Sequence, residues 1–149
     1  MDRAALEAAL ANEIEIGGYV PRGRLAEDGR VPEKYTGLIE TNSESYAERT
    51  RLNIINSDAT LLLTNGEPAG GSKLTADLAG EYRKPLFHVD LSKSNPKEAL
   101  NAVNGWLRRF QLITLNVAGP RASEAPAIYD LTLELLSEVL KKAGRERPT

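Results

Sequence analysis

The chain has 149 residues, 41% of them hydrophobic and 27% charged, which fits one packed domain (residues 1–149) and disfavours disorder, collagen-like repeats and coiled coils. Its 19 basic and 21 acidic side chains leave a formal net charge of -2, so no positive field exists to hold a nucleic-acid backbone, and no nucleic-acid partner is expected. Cysteine is absent and His88 is the only histidine, which removes disulfides, zinc ribbons, iron–sulfur clusters and cysteine nucleophiles from consideration. Apolar stretches such as Leu61 to Leu63 fall far short of the ~20 residues of a membrane helix, and no leader-like segment opens the chain, so a cytoplasmic protein without membrane contact is expected.

Strand-like and helix-like segments alternate from end to end, the pattern of an α/β fold with a mainly parallel sheet. Residues 2–12 read as a helix with Ala5, Leu6, Ala9 and Leu10 on one face, and residues 14–20 as a strand. A long Pro/Gly/charge segment over 21–37 carries Arg22, Arg24, Glu27 and Asp28, and a short strand is expected over 38–41. A helix over 43–56 then leads to a strand over 59–64, whose Leu61, Leu62 and Leu63 lack polar alternation. Such a run suits a central parallel strand covered on both faces. Next come a helix over 72–83, a strand over 85–91, a helix over 96–110, a strand over 112–118 and a last helix over about 124–143. Asn95 and Ser123 are placed to cap the helices that carry Pro96 and Pro126 in their first turns.

The last helix shows two apolar stripes, one of Ile128, Leu131, Leu135 and Val139, the other of Leu133, Leu136 and Leu140. A single core contact needs only one, so the second points to a homo-oligomer interface, although a helix packed between neighbours would look alike. Trp106 shares helical spacing with Val103, Leu107 and Phe110 and reads as core. His88 alternates with Phe87 and Val89 in a strand and reads as a satisfied, half-buried imidazole.

In a parallel sheet ligands gather at the carboxyl edge, where strands hand over to helix N-termini. Thr64 to Thr75 follows the most apolar strand and holds three glycines besides Ser72, Lys73 and Thr75. It fits either a glycine turn with a serine cap or a cradle for an anion, and its spacing is not that of a Walker loop. Asn116 to Glu124 repeats the order strand, glycine (Gly119), cation (Arg121), cap (Ser123), helix, with Arg121 able to fork onto a phosphate or carboxylate. The 21–37 segment either folds over that edge, bringing Arg22 and Arg24 to an acidic ligand, or stays a solvated surface segment.

Taken together, Asp2-Arg3-Ala4-Ala5-Leu6, Pro21-Arg22-Gly23-Arg24 with Ala26-Glu27-Asp28-Gly29, Tyr46-Ala47-Glu48-Arg49-Thr50, Ser57-Asp58-Ala59-Thr60, Gly70-Gly71-Ser72 with Leu74-Thr75-Ala76, and Asn116-Val117-Ala118-Gly119-Pro120-Arg121 with Ser123-Glu124 carry a resemblance. The chain resembles the circularly permuted SLOG family, Rossmann-like proteins described as molybdenum cofactor carriers. That resemblance implies a three-layer Rossmann-like fold and a homo-oligomer, in particular a tetramer. It also implies a small anionic ligand at the carboxyl edge, either the molybdenum cofactor (molybdopterin) or molybdate. The residues it assigns to that ligand are Arg22, Arg24, Gly70, Gly71, Ser72, Thr75, Asn116, Gly119, Arg121, Ser123 and Glu124. Without cysteine the protein offers no thiolate to molybdenum, so the metal would arrive bound by its own dithiolene or as an oxyanion.

Two departures stand out. Family members carry a strand and a Gly-Gly-Gln-Thr-Gly turn before the Asp-Arg-Ala-Ala-Leu helix, whereas this sequence starts at Met1 with neither. A first strand missing before Met1 is therefore expected, with a vacant place beside the 59–64 strand. Asp77 stands where the family more often has Glu. The alternative readings are a phosphoribohydrolase similar to the Lonely Guy enzymes, with Asp77 or Glu124 as acid or base, and a sensor of a nucleotide-derived ligand. Lys73-Leu74 depart from the Gly-Thr with which the Lonely Guy loop continues.

Overall fold

A computed structural model describes residues 8–9, 17–20, 25–26, 29–30, 38–41, 45–93, 95–109, 114–119, 130 and 132–139. In chain order its strands are β1 (Gly18–Val20), β2 (Leu25–Ala26), β3 (Gly29–Arg30), β4 (Leu38–Glu40), β5 (Ala59–Thr64), β6 (Leu86–Asp90) and β7 (Leu115–Ala118). The helices are α1 (Tyr46–Ile55), α2 (Gly70–Glu81) and α3 (Pro96–Leu107), and residues 132–139 are also helical.

The triple leucine lies at the centre of the molecule. All six residues of β5 are buried, and β5 is hydrogen-bonded in parallel to β6 on one side and to β7 on the other. The vacancy expected beside this strand is thus not there: β6 and β7 fill both of its edges. Successive strand residues face opposite ways. Leu61 and Leu63 point into a cluster with Ala8, Val89, Ala99, Val103, Leu135, Leu136 and Val139, which leaves Leu62 facing the other layer. There α2 turns its buried Ser72, Thr75 and Ala79 inward and contacts β5 and β6. Helices on both faces of a parallel sheet make the three-layer, Rossmann-like arrangement, and each buried leucine contributes roughly 1.5–3 kcal/mol. On the α3 side Trp106 packs on Phe87 of β6, ring centroids 5.4 Å apart.

Two details of the N-terminal and C-terminal helices depart from the sequence reading. Ala8 and Ala9 are helical and buried, and Ala8, outside the expected apolar face, is the one in the core cluster. Leu136 is 1% exposed and Leu133 packs against the same cluster as Leu135 and Val139. Of the stripe read as a spare subunit face, Leu136 is therefore buried in the chain's own core and Leu133 packs partly against it; Ile128, Leu131 and Leu140 lie outside the described residues.

Helix ends follow local chemistry. Ser45 caps α1, its hydroxyl accepting from the Glu48 N–H at 3.4 Å, and the expected Asn95 cap of α3 accepts from the Glu98 N–H at 2.8 Å. Helix α2 ends in a Schellman motif: the Lys84 N–H donates to the Ala79 carbonyl and the Arg83 N–H to that of Gly80, with Arg83 at φ +54°.

Strands β1 and β4 form a separate parallel pair. The Tyr19 N–H donates to Asn53 Oδ1 at 2.7 Å and the Asn53 amide donates to the Tyr19 carbonyl at 3.2 Å, so a side chain from α1 hydrogen-bonds β1 as a neighbouring strand would. Within the long 21–37 segment β2 and β3 pair antiparallel, Leu25 with Arg30 and Ala26 with Gly29. That ladder was not expected from the sequence.

Candidate functional site

Strands β5 and β6 end level, Thr64 opposite Asp90, while the last residue of β7, Ala118, lies opposite Leu62. The carboxyl edge is thus a step, with Gly119 leaving from its lower tread. From Thr64 the chain turns through Gly66 at φ +106°, a conformation that suits glycine. The Gly66 N–H donates to Asp90 Oδ1 at 2.8 Å, and the Gly66 carbonyl accepts from the Thr64 hydroxyl at 2.6 Å. A hydroxyl has one proton. With that proton on the Gly66 carbonyl, the 2.7 Å contact between Thr64 Oγ1 and His88 Nε2 requires the imidazole to carry its hydrogen on Nε2. His88 is thereby the half-buried, satisfied imidazole expected from its strand position.

Asp90 also accepts from the Ser92 hydroxyl at 2.6 Å and the Ser92 N–H at 3.0 Å. The Ser92 hydroxyl first, then the Gly66 N–H, hold its carboxyl below the ordinary carboxylate range, with the Ser92 N–H and Lys93 adding to the effect. Thr64 and Asp90 are site-forming residues that pattern reading passed over. Their position as the last residues of adjacent parallel strands was the available signal.

Four residues after Gly66, α2 opens with Gly70 at φ +52°. A left-handed residue followed by the right-handed Gly71 turns successive N–H groups to a common side, a concavity suited to anions and reinforced by the positive end of the helix dipole. The Ser72 and Lys73 N–H groups are directed at the Ala69 carbonyl, at 3.0 and 3.4 Å, so Gly70 and Gly71 supply the helix's outward donors. A Cβ built on Gly71 would meet nothing within 4 Å, leaving open space over the backbone.

Ser72 is not the cap that one reading of the loop made it. The N-cap is Ala69, without a side-chain hydrogen bond, because the helix begins two residues earlier than expected. Ser72 is 1% exposed and its hydroxyl has no hydrogen-bond partner. The Thr75 hydroxyl donates back to the Gly71 carbonyl at 2.9 Å, so its proton serves the helix. Asn116 lies within β7 opposite Thr60 and its amide donates to Thr60 Oγ1 at 3.2 Å. It is held in the sheet, two residues short of the β7 end. Arg22, Arg24, Arg121, Ser123 and Glu124 lie outside the described residues.

A cleft of ≈ 630 Å³ opens beside α2, where Leu74 and Leu78 face Ser45, Arg51 and Leu52 of the α1 side and Glu40 at the end of β4. Leu74 is about one turn beyond Gly70. Arg51 donates to both Glu48 carboxylate oxygens, at 3.2 and 2.6 Å. That bond holds the Glu48 carboxyl below its ordinary range, while Glu48 and Tyr82 hold the Arg51 guanidinium above its own. Asp77, the candidate acid or base, points to solvent with its side chain 63% exposed and pairs with Lys73 at 3.0 Å.

Among the described residues no group of three or more His, Asp or Glu could hold a metal ion, and the chain has no cysteine. The donors present fit the oxygens of a phosphate or oxyanion rather than a bare metal ion. None of the described helices is long and apolar enough to cross a membrane.

Fold and site together define a Rossmann-like protein whose central strand leads through a glycine loop to the N-terminus of a helix. The chain belongs to the circularly permutated YpsA SLOG family, which it matches over residues 1–140. Among solved structures it is similar to a "Putative molybdenum carrier protein" from Syntrophus aciditrophicus SB, with 45% sequence identity and a TM-score of 0.89 over 93% of this chain and 87% of that one. No curated protein matches the sequence.

Proposed function

We propose that the protein binds and carries the molybdenum cofactor, or molybdate itself, at the carboxyl edge of its sheet, in the cytoplasm. The observation that carries this reading is the Gly70-Gly71 turn, with φ +52° at Gly70 and open space over Gly71. Family membership and the name of the similar structure support the choice of cargo. The cofactor's phosphate would sit on the Gly70 and Gly71 N–H groups, and its ring system would extend toward the cleft lined by Leu74 and Leu78. When bound, the cofactor supplies the metal and its dithiolene ligands; the chain supplies oxygen recognition and shelter. At about 1.5–3 kcal/mol per hydrogen bond to a charged group, a handful of such bonds suffices for micromolar affinity.

A phosphoribohydrolase is the competing reading, and the solvent-facing, lysine-paired Asp77 speaks against the acid or base it needs. The deciding experiment incubates the protein with the cofactor and, separately, with a panel of nucleoside monophosphates. It measures co-elution on a sizing column and release of free base. Stoichiometric retention of cofactor without base release supports carriage; base release that disappears in Glu124→Gln replaces it with hydrolysis.

A further inference from the structure

The Gly66 turn is held by hydrogen bonds to both of its backbone polar groups. A Cβ at Gly66 would meet nothing within 4 Å, so that side of the turn is open. Asp90 holds its N–H at 2.8 Å and Thr64 holds its carbonyl at 2.6 Å. Each holder is itself held. Ser92 orients the Asp90 carboxylate through two hydrogen bonds, and His88 Nε2 lies 2.7 Å from Thr64 Oγ1, giving the threonine oxygen a donor of its own. Only Glu67, Pro68 and Ala69 separate this turn from Gly70, and the proline stiffens the tether. The Gly66 turn and the start of α2 are thus joined by a short connection that contains a proline.

We infer that Asp90, Thr64 and His88 are positioning residues for the anion at the α2 N-terminus, acting through the Gly66 backbone they hold from both sides. This rests on the reading that an oxyanion binds at Gly70 and Gly71. None of the three is required to touch the ligand. Among the described residues the groups facing Asp90 are Ser92, the Gly66 N–H and Lys93, whose ammonium is 3.9 Å from Oδ2 and also 3.5 Å from Glu67; His88, on the same strand, reaches the turn through Thr64. Protonating Asp90 weakens its bond to the Gly66 N–H.

The test is isothermal titration with molybdate and with inorganic phosphate, combined with amide NMR of the unliganded protein. Asp90→Ala and Thr64→Val should each weaken oxyanion binding about tenfold, while Asp90→Asn and Thr64→Ser, which keep an acceptor or a hydroxyl, restore it to within about threefold of wild type. The Gly66 amide resonance should shift as Asp90 is protonated in acid. Thr64→Val is close to isosteric, so the test stands even where Asp90→Ala fails to fold. Wild-type affinity in the Ala and Val variants, or no recovery in the Asn and Ser variants, overturns the positioning role alone. A wild-type protein that binds neither anion overturns this role together with the site it serves.

Discussion

The two adjacent glycines that open α2 should respond in opposite ways to the same methyl group. At Gly70 the backbone sits at φ +52°, where an L-residue costs roughly 1–2 kcal/mol. Gly70→Ala should therefore destabilise the fold by that amount, equivalent to a fall of about 2–8 °C in Tm for a domain of this size. Gly71 follows in helical conformation, and a Cβ there meets nothing within 4 Å. Gly71→Ala removes the conformational freedom of an unfolded glycine at no steric cost and should stabilise the fold by up to about 1 kcal/mol. Yet the open space it fills is the space through which an oxyanion would approach the paired N–H groups. The expected result is a protein that melts higher and binds molybdate or phosphate about tenfold more weakly, a loss of roughly 1.4 kcal/mol. Thermal melting by circular dichroism and isothermal titration on the same preparations read both quantities. A Gly71→Ala protein that is more stable and binds as tightly as wild type would refute the assignment of the anion to this turn. One that is less stable would refute the packing argument.

Other expectations concern the frame around the site. Gly18 has φ +125° and a Cβ there would lie 3.1 Å from Asn53 Oδ1, so Gly18→Ala should cost about 1–3 kcal/mol in urea unfolding; an unchanged midpoint would contradict the strained conformation. Arg83→Gly, at the left-handed position that closes α2, should add about 0.5–1 kcal/mol by the same measurement, with a loss of stability as the contrary result. The Asp90 carboxyl titrates below its usual value near 3.8 in the folded chain. The stability it contributes is therefore fully present above that value and lost as pH falls through the lower folded one. Asp90→Asn should flatten the acid limb of a stability-against-pH curve below about pH 4 and leave the neutral limb's slope unchanged; an acid limb identical to wild type would remove Asp90 from the account.

Much of this frame is legible in the sequence where one local cause dominates. Three consecutive leucines mark β5 as buried on both faces, and Asn95 before Pro96 marks the start of α3, because a cap and a ring-locked φ need no tertiary partner. What depends on partners distant in sequence is not. A stripe of Leu133 and Leu136 looks the same whether another subunit or the same core covers it, and here the core does. Ser72 resembles a cap until Gly70, two residues earlier, starts the helix at positive φ. The bond from Asn116 to Thr60 is set by the parallel register, and the two residues are 56 apart in the chain. Strands of two residues such as β2 and β3 are shorter than any periodicity can detect. The clamp joins Thr64 to His88 and Gly66 to Asp90, each pair 24 residues apart, and no window of sequence contains its logic.

The amide of Asn53 on Tyr19 bears on how this protein behaves when crowded. A strand with one hydrogen-bonding edge uncovered is a template on which another chain can grow, and natural folds guard such edges with charge, proline or curvature. Among the described residues the group on that edge of Tyr19 is a carboxamide, long enough to offer one donor and one acceptor at the spacing of a peptide. Because it is borne by a helix, it cannot propagate a ladder beyond one residue. Asn53 thus occupies the peptide edge at Tyr19, and its replacement by an apolar side chain would take away both of these hydrogen bonds and leave that peptide to seek other partners.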